Sequence, residues 1–189
     1  MIAEYPNTLQ DHNCSFLLKH REELKGNSYE DVVEWMCDTK YPNLYNYIYE
    51  LIQPNVQDYI NKYNPELSIE LDGIGIIRQP EGAYDNLHTD TPLLKNKHDE
   101  IILRPFVCLV YLNDDFEGGE LVFPTHKQTI KPEQGKMVMF PASWMYPHFV
   151  LPIGNGERYF IRFNFKINDP SDKDVDQWDI TKDGIMQYD

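Results

Sequence analysis

Two residues near the middle of the chain, a histidine and an aspartate, have the spacing of metal ligands. His88 and Asp90 are separated by a single residue in the sequence LHTDT. Residues two apart on a strand point to the same face, so both side chains can reach one metal ion. A third ligand from a neighbouring strand, giving two imidazoles and one carboxylate, leaves half of an octahedral ion open. This arrangement suits Fe(II) that must bind a cosubstrate and dioxygen.

The His-X-Asp spacing alone is weak evidence, because most such pairs are solvated side chains at the end of a strand. Its context is more specific. The motif closes the stretch GAYDNLHTD, which is followed by RPFVCLVYLNDDFEGGELVFP and then by GKMVMFPASWMYPHFVLPIGNGERYFIRF. The last stretch contains His148 and, ten residues later, Arg158. The forked guanidinium group of an arginine is well suited to bind a carboxylate.

The elements that must position these residues have the patterns of β strands. From Ser68 onward, turn residues separate short runs rich in β-branched and aromatic residues, namely SIELDGIGIIRQ, RPFVCLVYLN, GGELVFP, KMVMFP and RYFIRFNFKIN. Runs of this kind without helical patterns between them predict a sandwich or barrel rather than a parallel sheet. The polar segment TPLLKNKHDE between two runs is expected to be a loop and a candidate mobile lid.

The first third of the chain has helical periodicity. Ser28 is a candidate N-cap, because Asp31 lies three residues later and an apolar stretch with Val32, Val33, Trp35 and Met36 follows. Apolar residues also recur at three- and four-residue intervals through LYNYIYELIQ, which predicts a second helix. Pro54 is expected to kink this helix or to begin another segment, VQDYINKY.

The length, composition and net charge of the chain indicate how many domains it has and which partners are disfavoured. The 189 residues include 17 Lys and Arg against 31 Asp and Glu, a formal net charge of −14, with 41% hydrophobic residues. This length suits one domain, with a helical buttress (1–66), a β core (67–168) and an acidic tail (169–189). The negative charge disfavours nucleic acid and anionic membrane surfaces as partners.

The chain also lacks the patterns of membrane and secreted proteins. The longest strictly apolar run, Phe106 to Leu112, is too short to span a bilayer, and the amino terminus does not resemble a signal peptide. The three cysteines, Cys14, Cys37 and Cys108, are odd in number and have no CxxC spacing. We therefore expect free thiols and a cytoplasmic location.

In their order, the three stretches resemble the prolyl 4-hydroxylase branch of the iron- and 2-oxoglutarate-dependent oxygenases, in its bacterial or viral single-domain form. The resemblance extends over roughly Ile74 to Lys166, about half the chain, and depends on several motifs in fixed order. It implies a mainly β fold, a double-stranded β-helix (jelly-roll) core buttressed by a layer of N-terminal helices.

The resemblance also implies roles for individual residues. His88, Asp90 and His148 match the catalytic iron ligands, Arg158 matches the residue that binds the distal carboxylate of 2-oxoglutarate, and Tyr111 matches a tyrosine that hydrogen-bonds this carboxylate. A competing reading is that His126 and Lys136 form the distal pair, because some relatives use lysine at the same ten-residue spacing. In the family, however, the strand GKMVMFP precedes the distal histidine, and this strand contains Lys136. We therefore favour His148.

Three positions depart from the pattern of the family. Gln79 stands where many relatives have a tyrosine, and Leu121 replaces the threonine that is common in GGET. Tyr84 lies four residues before His88, whereas relatives usually have a tyrosine three residues before it. None of these positions is a matched iron ligand.

The implied activity is hydroxylation of an unactivated C–H bond, most specifically C4 of a prolyl residue in a protein or peptide. The implied cofactors are Fe(II), the cosubstrate 2-oxoglutarate, dioxygen and ascorbate, and the products include succinate and CO2. We expect Arg104, Trp144 and Tyr84 to contact the substrate, since Arg104 matches a peptide-facing arginine and Trp144 can stack on a proline ring.

Other functions remain open from the sequence. The same iron centre could hydroxylate a free amino acid or another small molecule, and a similar β barrel could bind a metal or a sugar without catalysis. Oxidative demethylation of nucleic acid ranks low, because relatives with this activity have a second arginine six residues after the first. Here Arg162 follows Arg158 by four residues, and the net charge repels nucleic acid.

Overall fold

The structure is a computed structural model that describes residues 1–29, 32–37, 41–90, 93–95 and 101–168. The predicted acidic tail and much of the predicted lid lie outside these ranges. The helical elements are α1 (Asp11–His20), a 3-10 turn (Arg21–Glu23) and α2 (Pro42–Tyr63). The strands are β1 (Ala3–Tyr5), β2 (Lys25–Tyr29), β3 (Val32–Cys37), β4 (Ile69–Gln79), β5 (Asp85–His88), β6 (Leu93–Lys95), β7 (Ile101–Leu103), β8 (Phe106–Tyr111), β9 (Glu117–Gly118), β10 (Leu121–Phe123), β11 (Gln128–Ile130), β12 (Met137–Pro141), β13 (His148–Val150), β14 (Ile153–Gly154) and β15 (Arg158–Ile167).

Two antiparallel sheets form the β core. The larger sheet has seven strands in the order β1-β12-β8-β15-β4-β3-β2, and the smaller sheet has four in the order β11-β10-β13-β5. Residues of both sheets line one cavity between them. This architecture is a double-stranded β-helix, so the predicted fold class is confirmed.

Strand β15 is the central strand of the larger sheet and pairs with β4 on one side and β8 on the other. Its side chains alternate between two environments, as the two-residue period of a strand requires. Arg158, Phe160 and Arg162 line the cavity. Ile161 and Phe163 point the opposite way, into a core that they share with the helices. One strand therefore joins the cavity to the core that supports it.

The helical layer covers the outer face of the larger sheet. Helix α2 buries Ile48, Ile52, Val56 and Ile60 in the same apolar cluster as the outward side chains of β15. The helix runs through Pro54 without a break, so the segment VQDYINKY belongs to it and does not begin a new element. Pro54 lies on the exposed side of the helix, where water can satisfy the carbonyl that has lost its N–H donor.

The predicted helix after Ser28 is wrong. This part of the chain forms strands β2 and β3, which make an antiparallel hairpin. Within the larger sheet β3 pairs with β4, from Val33 opposite Arg78 to Cys37 opposite Ile74. The N-cap signal at Ser28 is local, whereas pairing with β4 satisfies the backbone of the whole segment. The adjacent valines and the tryptophan also favour a strand.

A second difference concerns the predicted lid TPLLKNKHDE. Leu93–Lys95 form β6, which pairs with Ile101–Leu103 of β7, so this part of the segment is extended rather than a loop. The rest of the segment is not among the described residues. No helix in the described part of the chain is long and apolar enough to cross a membrane.

The expectation of free thiols is confirmed for Cys14 and Cys108, which are buried and form no disulfide. Burial raises the pKa of Cys14 to about 11 and raises the pKa of Cys108 as well, since a thiolate would lose its hydration. These thiols are therefore protonated parts of the core at neutral pH.

Gly135 provides a test of how the N-terminal segment is attached to the larger sheet. Gly135 has a φ of 77°, and a Cβ atom there would collide with the backbone carbonyl of Leu9. Gly82 has a similar φ of 83°, but a Cβ there would meet no atom of the described residues within 4 Å. We expect Gly135→Ala to lower the free energy of unfolding by about 2 kcal/mol or more, and Gly82→Ala by about 1 kcal/mol, in urea titrations. Equal losses would show that the contact with Leu9 has no effect.

Candidate metal centre

The pairing of β13 with β5 places two histidines opposite each other. His148 and His88 are register partners, and their ring centroids lie 4.3 Å apart. Asp90 follows β5 by two residues, and its Oδ2 lies 3.3 Å from Nε2 of His148. One potential ligand atom from each of the three residues lies within 4.8 Å of the other two. The structure thus brings together the three residues that the sequence indicated.

Hydrogen bonds to the backbone set the orientation of both imidazole rings. Nδ1 of His88 lies 2.7 Å from the carbonyl oxygen of Asn86, and Nδ1 of His148 lies 3.0 Å from that of Tyr146. Because a carbonyl only accepts, Nδ1 carries the proton in the neutral form of each ring, and the lone pair is then on Nε2. Burial lowers the pKa of His148, which favours the neutral ring that a metal requires.

The three donors differ in their exposure to solvent. His148 is buried against the rings of Phe123 and Phe140, whereas His88 is exposed and Asp90 is partly exposed. Two neutral imidazoles and one carboxylate form a set that fits a divalent transition metal such as Fe(II). The geometry therefore allows a metal ion that is bound by the buried His148 on one side and is accessible from the cavity on the other.

The cavity beside these residues has a volume of about 420 Å³. Apolar side chains from both sheets form much of its wall, including Leu121, Phe140, Val150 and Phe160. The three donors lie in one part of it, and two further predicted residues, Tyr111 and Arg158, also line it. The site therefore consists of a candidate metal-ligand cluster and a cationic group in one cavity.

Arg158 is a buried cation with only 3% of its surface exposed. Its Nη1 donates to the carbonyl of Gly119 at 2.9 Å, and its Nη2 donates to Oε1 of Gln79. Among the described residues its Nε has no hydrogen-bond partner. Burial lowers the pKa of Arg158, since the charged form has lost its hydration. An incoming carboxylate would therefore find a desolvated cation.

Tyr111 lies at the end of β8 and is buried. Burial raises the pKa of Tyr111 to about 12, so its hydroxyl stays protonated at neutral pH and can donate a hydrogen bond. Arg158 and Tyr111 are thus both donors in the same cavity.

The competing pair, His126 and Lys136, lies apart from this cluster. The ring of His126 stacks on Tyr146 at a centroid distance of 4.5 Å. The ammonium of Lys136 forms ion pairs with Glu4 at 3.3 Å and Glu133 at 3.1 Å. The geometry therefore favours His148, as the order of the motifs did.

The three residues predicted to contact substrate lie outside the large cavity. Arg104 lines a smaller cavity of about 90 Å³ that it shares with Asp90 and Arg162. Trp144 is 80% exposed and Tyr84 is 57% exposed. Trp144 precedes His148 by four residues, and Tyr84 immediately precedes β5. Their contact with substrate stays a prediction.

The β2–β3 hairpin contributes a part of the cavity wall that no motif in the sequence indicated. Asn27, Ser28, Val32 and Glu34 all line the cavity, and Glu34 pairs with Nη2 of Arg162 at 2.6 Å. Gly75 leaves space for this pair, because a Cβ there would collide with the Glu34 carboxylate. The valine and tryptophan content of β3 was the one available signal for a strand here.

Asp85 also lines the cavity and was not predicted as a site residue. Its Oδ2 lies 3.8 Å from Nη2 of Arg158. Its position three residues before His88 was the only indication in the sequence that it could be near the site.

A double-stranded β-helix whose cavity is lined by two histidines and one aspartate within reach of one metal ion defines the class of metal-dependent oxygenases. Comparisons with known proteins agree. Residues 74–166 match the model of the 2OG-Fe(II) oxygenase superfamily. The predicted resemblance to that superfamily is confirmed for this part of the chain.

Among curated proteins, the prolyl 3-hydroxylases 2 of Rattus norvegicus and Homo sapiens are each 32% identical to this chain over 94 residues. The matched part is 43% of this chain but only 13% of either relative. The chain therefore corresponds to a small part of these longer proteins.

Solved structures are similar over most of the chain. The viral collagen prolyl hydroxylase of Paramecium Bursaria Chlorella virus-1 has a TM-score of 0.70 and 18% identity, covering 89% of this chain and 96% of its own. A Pseudomonas putida prolyl-4-hydroxylase has a TM-score of 0.63 and 17% identity, covering 89% and 93%. At these identities the similarity establishes the fold.

The metal centre can be tested by direct binding. We expect Ala at His88, Asp90 or His148 to weaken Mn(II) binding about tenfold to a hundredfold or more, because each substitution removes one of three donor groups. Isothermal titration calorimetry on each purified variant measures this. His126→Ala is the control and should bind Mn(II) like the wild type. Loss of binding in His126→Ala with retention in His148→Ala would reverse the assignment of the distal ligand.

Proposed function

We propose that this protein is an Fe(II)- and 2-oxoglutarate-dependent dioxygenase that hydroxylates prolyl residues of a protein or peptide at C4. The observation that carries the proposal is the cavity itself, with His88, Asp90 and His148 in one part and the buried cation Arg158 in another. A metal site and a carboxylate site in one cavity suit a cosubstrate that has a chelating group at one end and a carboxylate at the other.

His88, Asp90 and His148 would hold the iron. When bound, Fe(II) supplies the activation of dioxygen that couples decarboxylation of 2-oxoglutarate to hydroxylation of a C–H bond. The hydrogen bonds from Nδ1 to the carbonyls of Asn86 and Tyr146 keep both Nε2 atoms directed at the metal position. The protein thereby supplies a preorganised set of ligands and leaves the remaining coordination positions open.

Arg158 and Tyr111 would bind the distal carboxylate of 2-oxoglutarate. A guanidinium at 3% exposure forms a strong charge-assisted hydrogen bond, since little water competes for the carboxylate. The apolar wall that includes Leu121, Phe140 and Val150 excludes water from the same space. These residues would fix the length of the cosubstrate that fits between cation and metal.

Arg104, Trp144 and Tyr84 would contact the substrate. The side chain of Arg104 shares a cavity with the candidate ligand Asp90, so a peptide held there would lie beside the metal. The exposed rings of Trp144 and Tyr84 offer flat apolar surfaces that suit proline. The viral neighbour is described as a collagen prolyl hydroxylase, and the curated relatives are prolyl 3-hydroxylases. These descriptions support a prolyl substrate and make C3 the alternative position to test.

Hydroxylation of a free amino acid or a similar small molecule is the second candidate. The ion pair between Glu34 and Arg162 lines the large cavity, and its two opposite charges would match an ammonium and a carboxylate. A peptide-bound proline has neither charge nearby unless it lies at a chain end. The ion pair is the specific observation that keeps this candidate open.

One assay separates the candidates. The protein is incubated with Fe(II), 2-oxoglutarate, ascorbate and oxygen, together with either a library of proline-containing peptides or free amino acids. We expect succinate to form only when Fe(II) and oxygen are both present, and mass spectrometry to show an added oxygen in the peptides. Amino-acid analysis then distinguishes 4-hydroxyproline from 3-hydroxyproline. Oxidation of free amino acids alone would favour the second candidate, and no succinate at all would contradict both.

The role of Arg158 can be tested through the cosubstrate. Removal of one partner from a buried, hydrogen-bonded charge pair costs about 2 to 5 kcal/mol, which corresponds to a loss of about thirtyfold or more in affinity. We expect Arg158→Ala to raise the KM for 2-oxoglutarate by at least that factor in the succinate assay. Arg162→Ala also removes a cavity arginine but should leave this KM unchanged. The opposite pattern would move the carboxylate site to Arg162.

The substrate residues can be tested by separating peptide binding from the iron chemistry. We expect Arg104→Ala and Trp144→Ala each to lower peptide hydroxylation about tenfold or more, since contact residues of this type often contribute over 1 kcal/mol. The slow decarboxylation of 2-oxoglutarate without peptide should continue in both variants. Normal peptide hydroxylation in both variants would contradict the assignment of this surface.

A further inference from the structure

Arg158 already has a negatively charged neighbour inside the protein. Asp85 Oδ2 lies 3.8 Å from Nη2 of Arg158, and in the described part of the chain no other carboxylate lies within 4.0 Å of this guanidinium. Asp85 belongs to β5, the strand that ends at His88, and its side chain lines the same cavity. The cation proposed to bind the cosubstrate is therefore partly neutralised before any cosubstrate arrives.

Gln79 connects the two charges. Its Oε1 accepts a hydrogen bond from Nη2 of Arg158, and its Nε2 lies 3.3 Å from Oδ2 of Asp85. This orientation of the amide is the one that satisfies both neighbours, because a guanidinium only donates and a carboxylate only accepts. Gln79 is itself buried, so the bridge is enclosed. Arg158, Gln79 and Asp85 thus form a connected polar network, which we call the Asp85 network.

The two charged residues of the Asp85 network, Arg158 and Asp85, differ in their exposure to solvent. The side chain of Arg158 is 4% exposed, whereas that of Asp85 is 40% exposed and faces the cavity. A carboxylate that approaches Nη2 of Arg158 must lie near Asp85, and two like charges so close in a partly buried site repel each other. The more exposed partner, Asp85, has room to turn toward solvent.

We infer that Asp85 is an internal counterion of Arg158 that competes with the distal carboxylate of 2-oxoglutarate and so weakens cosubstrate binding. This inference depends on the proposed function. Without cosubstrate, Asp85 compensates a buried positive charge that would otherwise be unpaired. With cosubstrate, the same charge opposes the ligand. Asp85 therefore sets the concentration of 2-oxoglutarate at which the site fills.

The test compares Asp85→Asn with the wild type. Asparagine keeps the size of the side chain and an oxygen that can accept from Gln79, but it removes the charge. The dissociation constant of 2-oxoglutarate is measured by calorimetry without oxygen, in protein loaded with Mn(II), so no turnover is needed. We expect it to fall about tenfold in Asp85→Asn, because repulsion is lost and the unliganded state loses its counterion. Glu81→Gln is the matched control, since it removes one exposed carboxylate four residues away and should bind 2-oxoglutarate like the wild type.

Thermal unfolding gives a second measurement. Without 2-oxoglutarate, Asp85→Asn should unfold at a lower temperature than the wild type, since Arg158 is left unpaired. Saturating 2-oxoglutarate should then raise the unfolding temperature of the variant by more than it raises that of the wild type. Asp85→Ser removes the same charge with a smaller side chain and should behave alike, which guards against a defect specific to asparagine.

Each remaining outcome contradicts the inference. An equal or larger dissociation constant in Asp85→Asn and Asp85→Ser would show that Asp85 only supports the structure of the site. Equal tightening in Glu81→Gln would show a general effect of net charge. If the Mn(II)-loaded wild type binds no 2-oxoglutarate, the proposed function fails and this inference fails with it. If the wild type binds and only the Asp85 variants behave unexpectedly, the proposed function stands.

Discussion

The register between β5 and β13 is the constraint on which the rest of the site depends. Antiparallel pairing places His148 opposite His88, and the irregularity between His148 and Val150 then brings Val150 opposite Asp85. A slip of one residue would turn every side chain of one strand to the other face of the sheet. The metal cluster would then be lost even though all three donors were present in the sequence. The hydrogen bonds from the imidazole rings to backbone carbonyls depend on the same local conformation.

The larger sheet holds the other half of the site by a different means. Strand β15 has neighbours on both sides and presents Arg158 to the cavity while Ile161 and Phe163 face the helices. The apolar contacts with α2 therefore stabilise a strand that carries a buried charge. Burying that charge is unfavourable unless polar partners surround it. Gly119, Gln79 and Asp85 are those partners, and they come from three separate parts of the chain.

The hairpin of β2 and β3 contributes part of the cavity wall and one of its charged groups. Strand β3 extends the larger sheet beyond β4 and carries Glu34 to the pair with Arg162. The superfamily match begins at residue 74 and does not include this hairpin. The wall of the cavity is thus formed in part by a segment outside the matched region. Differences in substrate among proteins with this core are compatible with such variation around a common metal centre.

The sequence by itself indicated the strands that carry the site and the residues of the candidate metal centre. The alternation along RYFIRFNFKIN and the spacing of His88 and Asp90 are visible in the chain because they reflect the two-residue period of a strand, whereas His148 and Arg158 were indicated by the resemblance of the motifs that contain them. Tertiary structure decided the conformation of residues 25–37, where pairing with β4 outweighed a local N-cap signal. It also decided the partners of Arg158 and Arg162. Those contacts join residues as far apart as Glu34 and Arg162, and no local pattern records which distant side chains a folded sheet brings together.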